Sequence, residues 1–256
     1  MIFDTHAHYD DGRYNEDRDQ LLGNLKDSGV ELVVNCGVDI KSSTRSIKLA
    51  EKYNFIYASV GVHPHDVKSL KDEDIQVLKE LAYNKRVVAI GEIGLDYYYE
   101  HSERELQKVW FDTQMKLARE LNLPVIIHSR DASEETFEII KQNNYQGLKG
   151  VIHAYSQSLE MAYEYINMGF YIGIGGVITF KNAKKLVEVV SNISIDNIVL
   201  ETDCPYMTPE PNRGKRNDST NLKYVVSKIS NIKGISEEEV IKITTDNGKK
   251  LFSIHD

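Results

Sequence analysis

The stretch ELNLPVIIHSRD, Glu120–Asp131, holds a helix end, a buried strand and a polar strand end in one short run. Upstream of it, Leu106, Val109, Trp110, Met115, Leu117 and Leu121 are broadly spaced for one face of a helix over Glu103–Asn122. Asn122-Leu123-Pro124 then stops that helix and leads into extended chain. Val125-Ile126-Ile127 is β-branched and apolar at every position, as in a parallel strand covered on both faces. His128 stands at the carboxyl end of that strand, with Arg130 two residues on.

The same unit recurs outward in both directions. Similar apolar runs lie at Ile2–Asp4, Leu32–Asn35, Ile56–Val60, Val87–Ile90, Gly150–Ile152, Tyr171–Ile174 and Ile198–Leu200. Segments of helical spacing separate them, for example Asn182–Ser191. Eight alternations of strand and helix predict an α/β fold, a single (β/α)8 TIM-type barrel that takes residues 1–256 as one domain. An open doubly wound sheet would require a glycine-rich phosphate turn after an early strand, and Asn35-Cys36-Gly37 is a poor one. Helical segments near Asn221–Ser230 and Ser236–Leu251 close the barrel. The most loop-like stretch, Cys204–Thr220, carries three of the five prolines and follows the last strand, where a long loop is usually functional.

Composition narrows the classes. The 256 residues are 41% hydrophobic and 27% charged, ordinary values for a soluble globular protein. A net charge of −8 argues against general nucleic-acid scavenging, so any such binding needs a local basic patch. Cys36 and Cys204 form no CxxC and read as reduced thiols of a cytoplasmic protein. No apolar run approaches a membrane span, and no coiled-coil stripe argues against a monomer.

The histidines carry the functional signal. Six of the eight, His6, His8, His63, His65, His128 and His153, sit at or just past the carboxyl ends of strands. Glu92 follows Val88-Ala89-Ile90-Gly91, and Asp203 follows Ile198–Thr202. A barrel gathers those ends at one mouth. His6 and His8, two apart in extended chain, project side by side, with Thr5 and Ala7 on the other face. His101 and His255 fall outside this pattern and read as exposed. Imidazoles mixed with carboxylates suit Zn, Mn, Fe or Co, and a carboxylate can bridge two ions. His6, His8, Glu92, His128, His153 and Asp203 are about what a pair of ions needs, at roughly 3.5–4 Å separation.

These residues lie in ordered motifs: DTHAHYD (Asp4–Asp10), SVGVHPHD (Ser59–Asp66), GEIGLDYYY (Gly91–Tyr99), LNLPVIIHSRDA (Leu121–Ala132), VIHAYS (Val151–Ser156), ITFKNA (Ile178–Ala183) and ETDCPYMTPEPNRGKRN (Glu201–Asn217). Together they resemble the TatD-type metal-dependent hydrolases, the TatD-like DNases, a branch of the amidohydrolase-like barrels. The resemblance runs from the second residue to TTDNGKKLF near the carboxyl terminus. It implies that His6, His8, Glu92 and Asp203 hold one divalent ion and that Glu92, His128 and His153 hold a second, either of them Mg, Mn, Zn or Co. It implies metal-dependent hydrolysis of DNA, as a 3′-to-5′ exonuclease or DNase. Deacylation of D-aminoacyl-tRNA also occurs among relatives. This chain departs from the family at Gln157, where Gly is common, and at Asn212, where His is frequent.

The expected enzyme is a two-metal phosphodiesterase in which Asp203 orients the attacking water and accepts its proton, with Glu92 as the shared carboxylate. Glu201 is expected behind these ligands. His63, His65, Arg130 and Arg213 are candidates to hold substrate phosphate, and Lys215 and Arg216 extend the basic cluster. A salt bridge to Asp131 or another rim acid is the alternative for Arg130. One of Tyr97, Tyr98 and Tyr99 could stack on a base or pack against the rim. The competing activity is a small-molecule amidohydrolase or esterase on the same metals. Related barrels with such substrates often place a carboxylated lysine on strand four, where this chain has Glu92. A barrel that binds nucleic acid without catalysis would have no reason to keep open metal positions.

Overall fold

The computed structural model describes residues 1–144 and 147–255. Its strands are β1 (Ile2–Ala7), β2 (Val30–Cys36), β3 (Ile56–Val60), β4 (Val87–Asp96), β5 (Val125–Arg130), β6 (Gly150–Ile152), β7 (Phe170–Ile174) and β8 (Ile198–Leu200). The helices are α1 (Arg18–Gly23), α2 (Ile40–Lys52), α3 (Asp74–Ala82), α4 (Arg104–Glu120), α5 (Ser133–Asn143), α6 (Leu159–Asn167), α7 (Lys184–Asn192), α8 (Leu222–Lys233) and α9 (Glu237–Leu251). All neighbouring strands pair in parallel, in chain order from β1 to β8. This is the (β/α)8 barrel that the alternation predicts.

Local chemistry sets the helix ends. The Asp39 carboxylate accepts from the Ser42 amide at 2.5 Å, and Ser42 Oγ accepts from the Asp39 amide at 2.8 Å, a reciprocal cap on α2. Ser158 and Ser236 cap α6 and α9 one way, each hydroxyl accepting from the amide three residues on. α8 stops at Gly234, whose φ of +69° is left-handed.

Buried apolar residues sort into two layers. Val33, Ile56, Ile90, Val125, Ile127, Ile152, Ile172 and Ile198 join the core under the helices. Phe3, Val34, Val88, Ile126, Val151 and Val199 form a second group with Leu251, Phe252 and Ile254 from the end of the chain. His128 and His153 share the parity of Ile126 and Val151, so the histidines continue the inner layer toward the mouth.

Two strands break the simple alternation. Register slips between Asp4 and Ala7 in β1 and between Ile90 and Ile93 in β4. Phe3 therefore lies in the inner layer although His6 and His8, of opposite parity, reach the inner site. The expected end of β4 at Ile90 was too early, and Glu92 lies within the strand. Slips of this kind re-aim side chains beside functional sites.

The seam between β1 and β8 is not a continuous ladder. β8 is only three residues long, and the chain beyond it completes the closure. Ala7 bridges Cys204, His8 N donates to Cys204 O at 2.8 Å, and Asp203 N donates to His6 O at 2.9 Å. Beneath these bonds the buried Asp4 carboxylate accepts from Thr202 N at 2.9 Å, Thr202 Oγ1 at 2.7 Å and Ser219 Oγ at 2.6 Å. Burial raises its pKa to about 7 despite those donors. No helix among the described residues is long and apolar enough to cross a membrane.

Candidate functional site

Glu92 is the centre of the mouth. Its Oε2 lies 3.3 Å from His6 Nε2 and 3.6 Å from His8 Nε2. Its Oε1 lies 3.0 Å from His128 Nδ1, 3.5 Å from His63 Nε2 and 3.9 Å from His153 Nε2. Asp203 Oδ1 stands across from it, 3.4 Å from His8 Nε2, 3.7 Å from His6 Nε2 and 3.9 Å from His153 Nε2. One carboxylate thus divides the imidazoles into two sets and the other closes the first. Atoms of His6, His8 and Asp203 lie within 4.8 Å of one another, and so do atoms of His63, Glu92 and His128 and of His6, His153 and Glu201.

The backs of the imidazoles are held. His8 Nδ1 lies 3.0 Å from the Cys36 carbonyl, which accepts a hydrogen bond from Nδ1–H and leaves Nε2 to face the cluster. His128 Nε2 lies 3.0 Å from Asp96 Oδ2, which leaves Nδ1 toward Glu92. His153 Nδ1 lies 3.2 Å from Glu201 Oε1, which leaves Nε2 toward Glu92 and Asp203. An outer carboxylate or carbonyl behind an imidazole is the usual support of a metal-binding histidine. His6 stacks on His153 with ring centroids 3.6 Å apart, and its Nδ1 is buried with no partner among the described residues.

His63 differs in kind. Its Nδ1 accepts from the His65 amide at 3.2 Å, so the neutral ring carries its proton on Nε2 and presents a donor. Burial, the neighbouring His128 and His65 hold its pKa well below the ordinary value. His65 points away from Glu92: its Nε2 lies 2.9 Å from Asp96 Oδ2, the same oxygen that faces His128.

The charge pattern fits a cation site. Burial works against a charge on Glu92, yet His63 and His6 hold it ionised well below the usual carboxylate range. Burial likewise opposes the charge on Asp203, and His8, His153 and His6 outweigh it. Burial alone would depress His8 and His153, but Asp203 raises the first to about 9 and Glu201 the second to about 10. A divalent cation held here would take the place of protons on these imidazoles.

Two glycines make room. A Cβ on Gly94, whose φ is +141°, would lie 2.0 Å from the His128 carbonyl oxygen. A Cβ on Gly173 would lie 2.4 Å from Glu201 Oε2. Larger residues would push apart the strand that carries His128 and the carboxylate behind His153.

The fold brings together all six expected metal positions and His63. The cationic candidates lie further out. Arg130 forms no ion pair among the described residues; its guanidinium sits 4.0 Å from the Tyr98 ring centroid and 4.8 Å from that of Tyr99. Arg213 is exposed, 4.1 Å over Phe180 and 4.0 Å from Glu210. Arg216 is a strut: Nη1 and Nη2 reach Asp17 at 2.8 and 2.5 Å, and Nη1 also donates to Arg13 O. His101 is exposed as expected, yet it belongs to the rim, stacked on Tyr99 at 5.5 Å. Gln157 is buried, with its amide donating to Ser129 Oγ at 3.1 Å, and Asn212 donates to Asn221 at 2.9 Å. Sequence reading missed Asp96 and Asp4. Asp96 lies inside GEIGLDYYY, but its role rests on His65 and His128, partners from two other segments.

Residues 3–253 match the TatD related DNase family. This chain belongs to that family. A Bacillus subtilis protein named uncharacterized metal-dependent hydrolase YabD is 44% identical over 255 residues, covering 100% of each chain. A Shigella flexneri protein named 3′-5′ ssDNA/RNA exonuclease TatD is 31% identical over 259 residues, covering 99% of each. The crystal structure of the TatD homologue YjjV from Escherichia coli superposes with a TM-score of 0.93 at 29% identity, over 99% of this chain and 98% of that one.

Proposed function

We propose that this TatD-family barrel, one catalytic unit over residues 1–256, is a two-metal phosphodiesterase that shortens DNA strands as a 3′-to-5′ exonuclease. The division of Glu92 between two sets of imidazoles carries the reading: Oε2 serves His6 and His8, and Oε1 serves His128 and His153. His6, His8, Glu92 and Asp203 would hold one cation, and Glu92, His128 and His153 a second. Such cations supply Lewis acidity, which acidifies water toward neutrality and offsets charge on phosphoryl oxygens.

The side chains around that centre do the rest. Asp203, ionised and with 21% of its side chain exposed at the mouth, orients the attacking water and takes its proton. His63 Nε2–H donates a hydrogen bond to a phosphoryl oxygen. Asp96 holds the His128 ring in the productive tautomer, and the Glu201 carboxylate stands behind the His153 ring as its ion partner. Arg213 and Lys215, both exposed on the loop after Asp203, attract the phosphate backbone to an otherwise acidic protein.

The test is a gel assay with chelator-stripped protein and a 5′-end-labelled single strand or duplex, with Mg²⁺, Mn²⁺, Co²⁺ or Zn²⁺ added in turn. Stepwise shortening from the 3′ end, dependent on added metal, is expected. Protein that binds metal but leaves every strand intact overturns the proposal and directs assays to amides, lactones and aminoacyl esters.

A further inference from the structure

Two adjacent tyrosines, Tyr98 and Tyr99, stand at the end of β4 with 58% and 50% of their surface exposed. Single exposed aromatics are common on protein surfaces. This pair is organised. The rings meet edge to face at 4.9 Å and 89°. Arg130 covers one side of both, and His101 lies parallel to Tyr99 at 5.5 Å and 7°. His65 meets Tyr99 edge-on at 5.4 Å.

The cluster is also anchored to the metal site. Asp96 Oδ1 accepts from the amides of Tyr98 and Tyr99 at 3.0 and 2.9 Å. Asp96 Oδ2 faces His65 and His128 at 2.9 and 3.0 Å. One carboxylate therefore fixes the tyrosine turn with one oxygen and the His128 ring with the other. His65 in turn packs on His63 at 4.3 Å, and His63 Nε2 lies 3.5 Å from Glu92. Loop aromatics that only covered a rim would not require a shared anchor with a candidate ligand.

Rigid exposed rings backed by a guanidinium are the chemistry that takes up the flat face of a nucleobase, while the cation meets the adjoining phosphate. Bases inside a duplex bury both faces in their own stack, whereas an unpaired base leaves its faces free. We infer that the Tyr98–Tyr99 pair, buttressed by Arg130 and His101, presents one ring face for stacking on an unpaired base of the strand whose phosphodiester lies at Glu92, with the other ring standing edge-on beside it. The inference rests on the phosphodiesterase reading above and narrows its substrate to single strands and frayed ends.

Binding tests it apart from cleavage. A fluorescent, phosphorothioate-linked oligothymidylate, which resists hydrolysis, is titrated with metal-loaded protein and followed by anisotropy. Tyr98→Ala/Tyr99→Ala should weaken binding about tenfold or more. Tyr98→Phe/Tyr99→Phe, which keeps the rings, should bind as the unaltered protein does. A strand of the same length with abasic residues should bind the unaltered protein as weakly as the intact strand binds the double alanine variant. Equal affinity of the unaltered and double alanine proteins, equal affinity for intact and abasic strands, or no binding of the intact strand overturns the platform. Ring-dependent binding with no shortening of natural strands under any metal would remove the phosphodiesterase reading and leave the platform standing. Shortening with ring-independent binding would do the reverse.

Discussion

Glu92 is where the loss of one side chain should be felt most. It meets five imidazoles with two oxygens and is almost wholly buried, so Glu92→Gln removes charge without removing volume. Bound metal, measured by elemental analysis, should fall, and hydrolysis should drop at least about 100-fold, more than the loss of an outer partner costs. Asp96→Asn is the milder case: the fold survives, and metal affinity should fall about 10- to 100-fold because His128 loses the carboxylate behind it. Full metal affinity in that variant would show that Asp96 serves the rim alone. Arg213 sits on the exposed loop beside Phe180. Arg213→Ala should weaken strand binding evenly across sequences and make the slope of log affinity against log salt shallower by about 1. An unchanged slope would place the phosphate contact elsewhere.

At the scale of elements, the seam between β1 and β8 is the place most dependent on side chains. β8 ladders with β7 but not with β1, and Asp4 ties that seam through Thr202 and Ser219. Asp4→Ala leaves those buried donors without an acceptor, and denaturant titration should show a loss of about 1–3 kcal/mol for each group left unpaired. His6, His8 and Asp203 straddle that seam, so the same variant should bind metal more weakly. A protein with unchanged stability would mean that water replaces the carboxylate. Gly94 tests the neighbouring pair of strands. Gly94→Ala pushes a Cβ into the His128 carbonyl, and overpacking of that order costs about 1–3 kcal/mol or more.

For the whole molecule, the cluster of acids and imidazoles couples folding to cation binding. A cation that binds only the folded barrel raises its stability by about 2.7 kcal/mol when present at a hundred times its dissociation constant. Chelator-stripped protein should therefore melt lower than metal-loaded protein, and the difference should shrink in Glu92→Gln. Equal melting temperatures with and without metal would argue that the mouth holds none.

The order of strands and helices, and the set of residues at the mouth, were legible along the chain. Continuous apolar runs report burial on both faces wherever they occur, and a barrel sends every carboxyl end to one place. His6, His8, Glu92, His128, His153 and Asp203 could be found that way because each sits near the end of such a run. The aim of those side chains could not. Alternation assumes a regular pleat, and the slips in β1 and β4 exist only in the pairing with β2 and β5. The donor role of His63 depends on an amide two residues away folding back on its ring. Asp96 became visible only when His65, His128 and the tyrosine turn met around it, and Arg216 left the substrate-facing group only because Asp17 lies beside it. Sequence spacing determines which residues reach the mouth, because strand direction is a local property. Which atom faces which is decided by contacts between segments far apart in the chain, and those exist only once the barrel has closed.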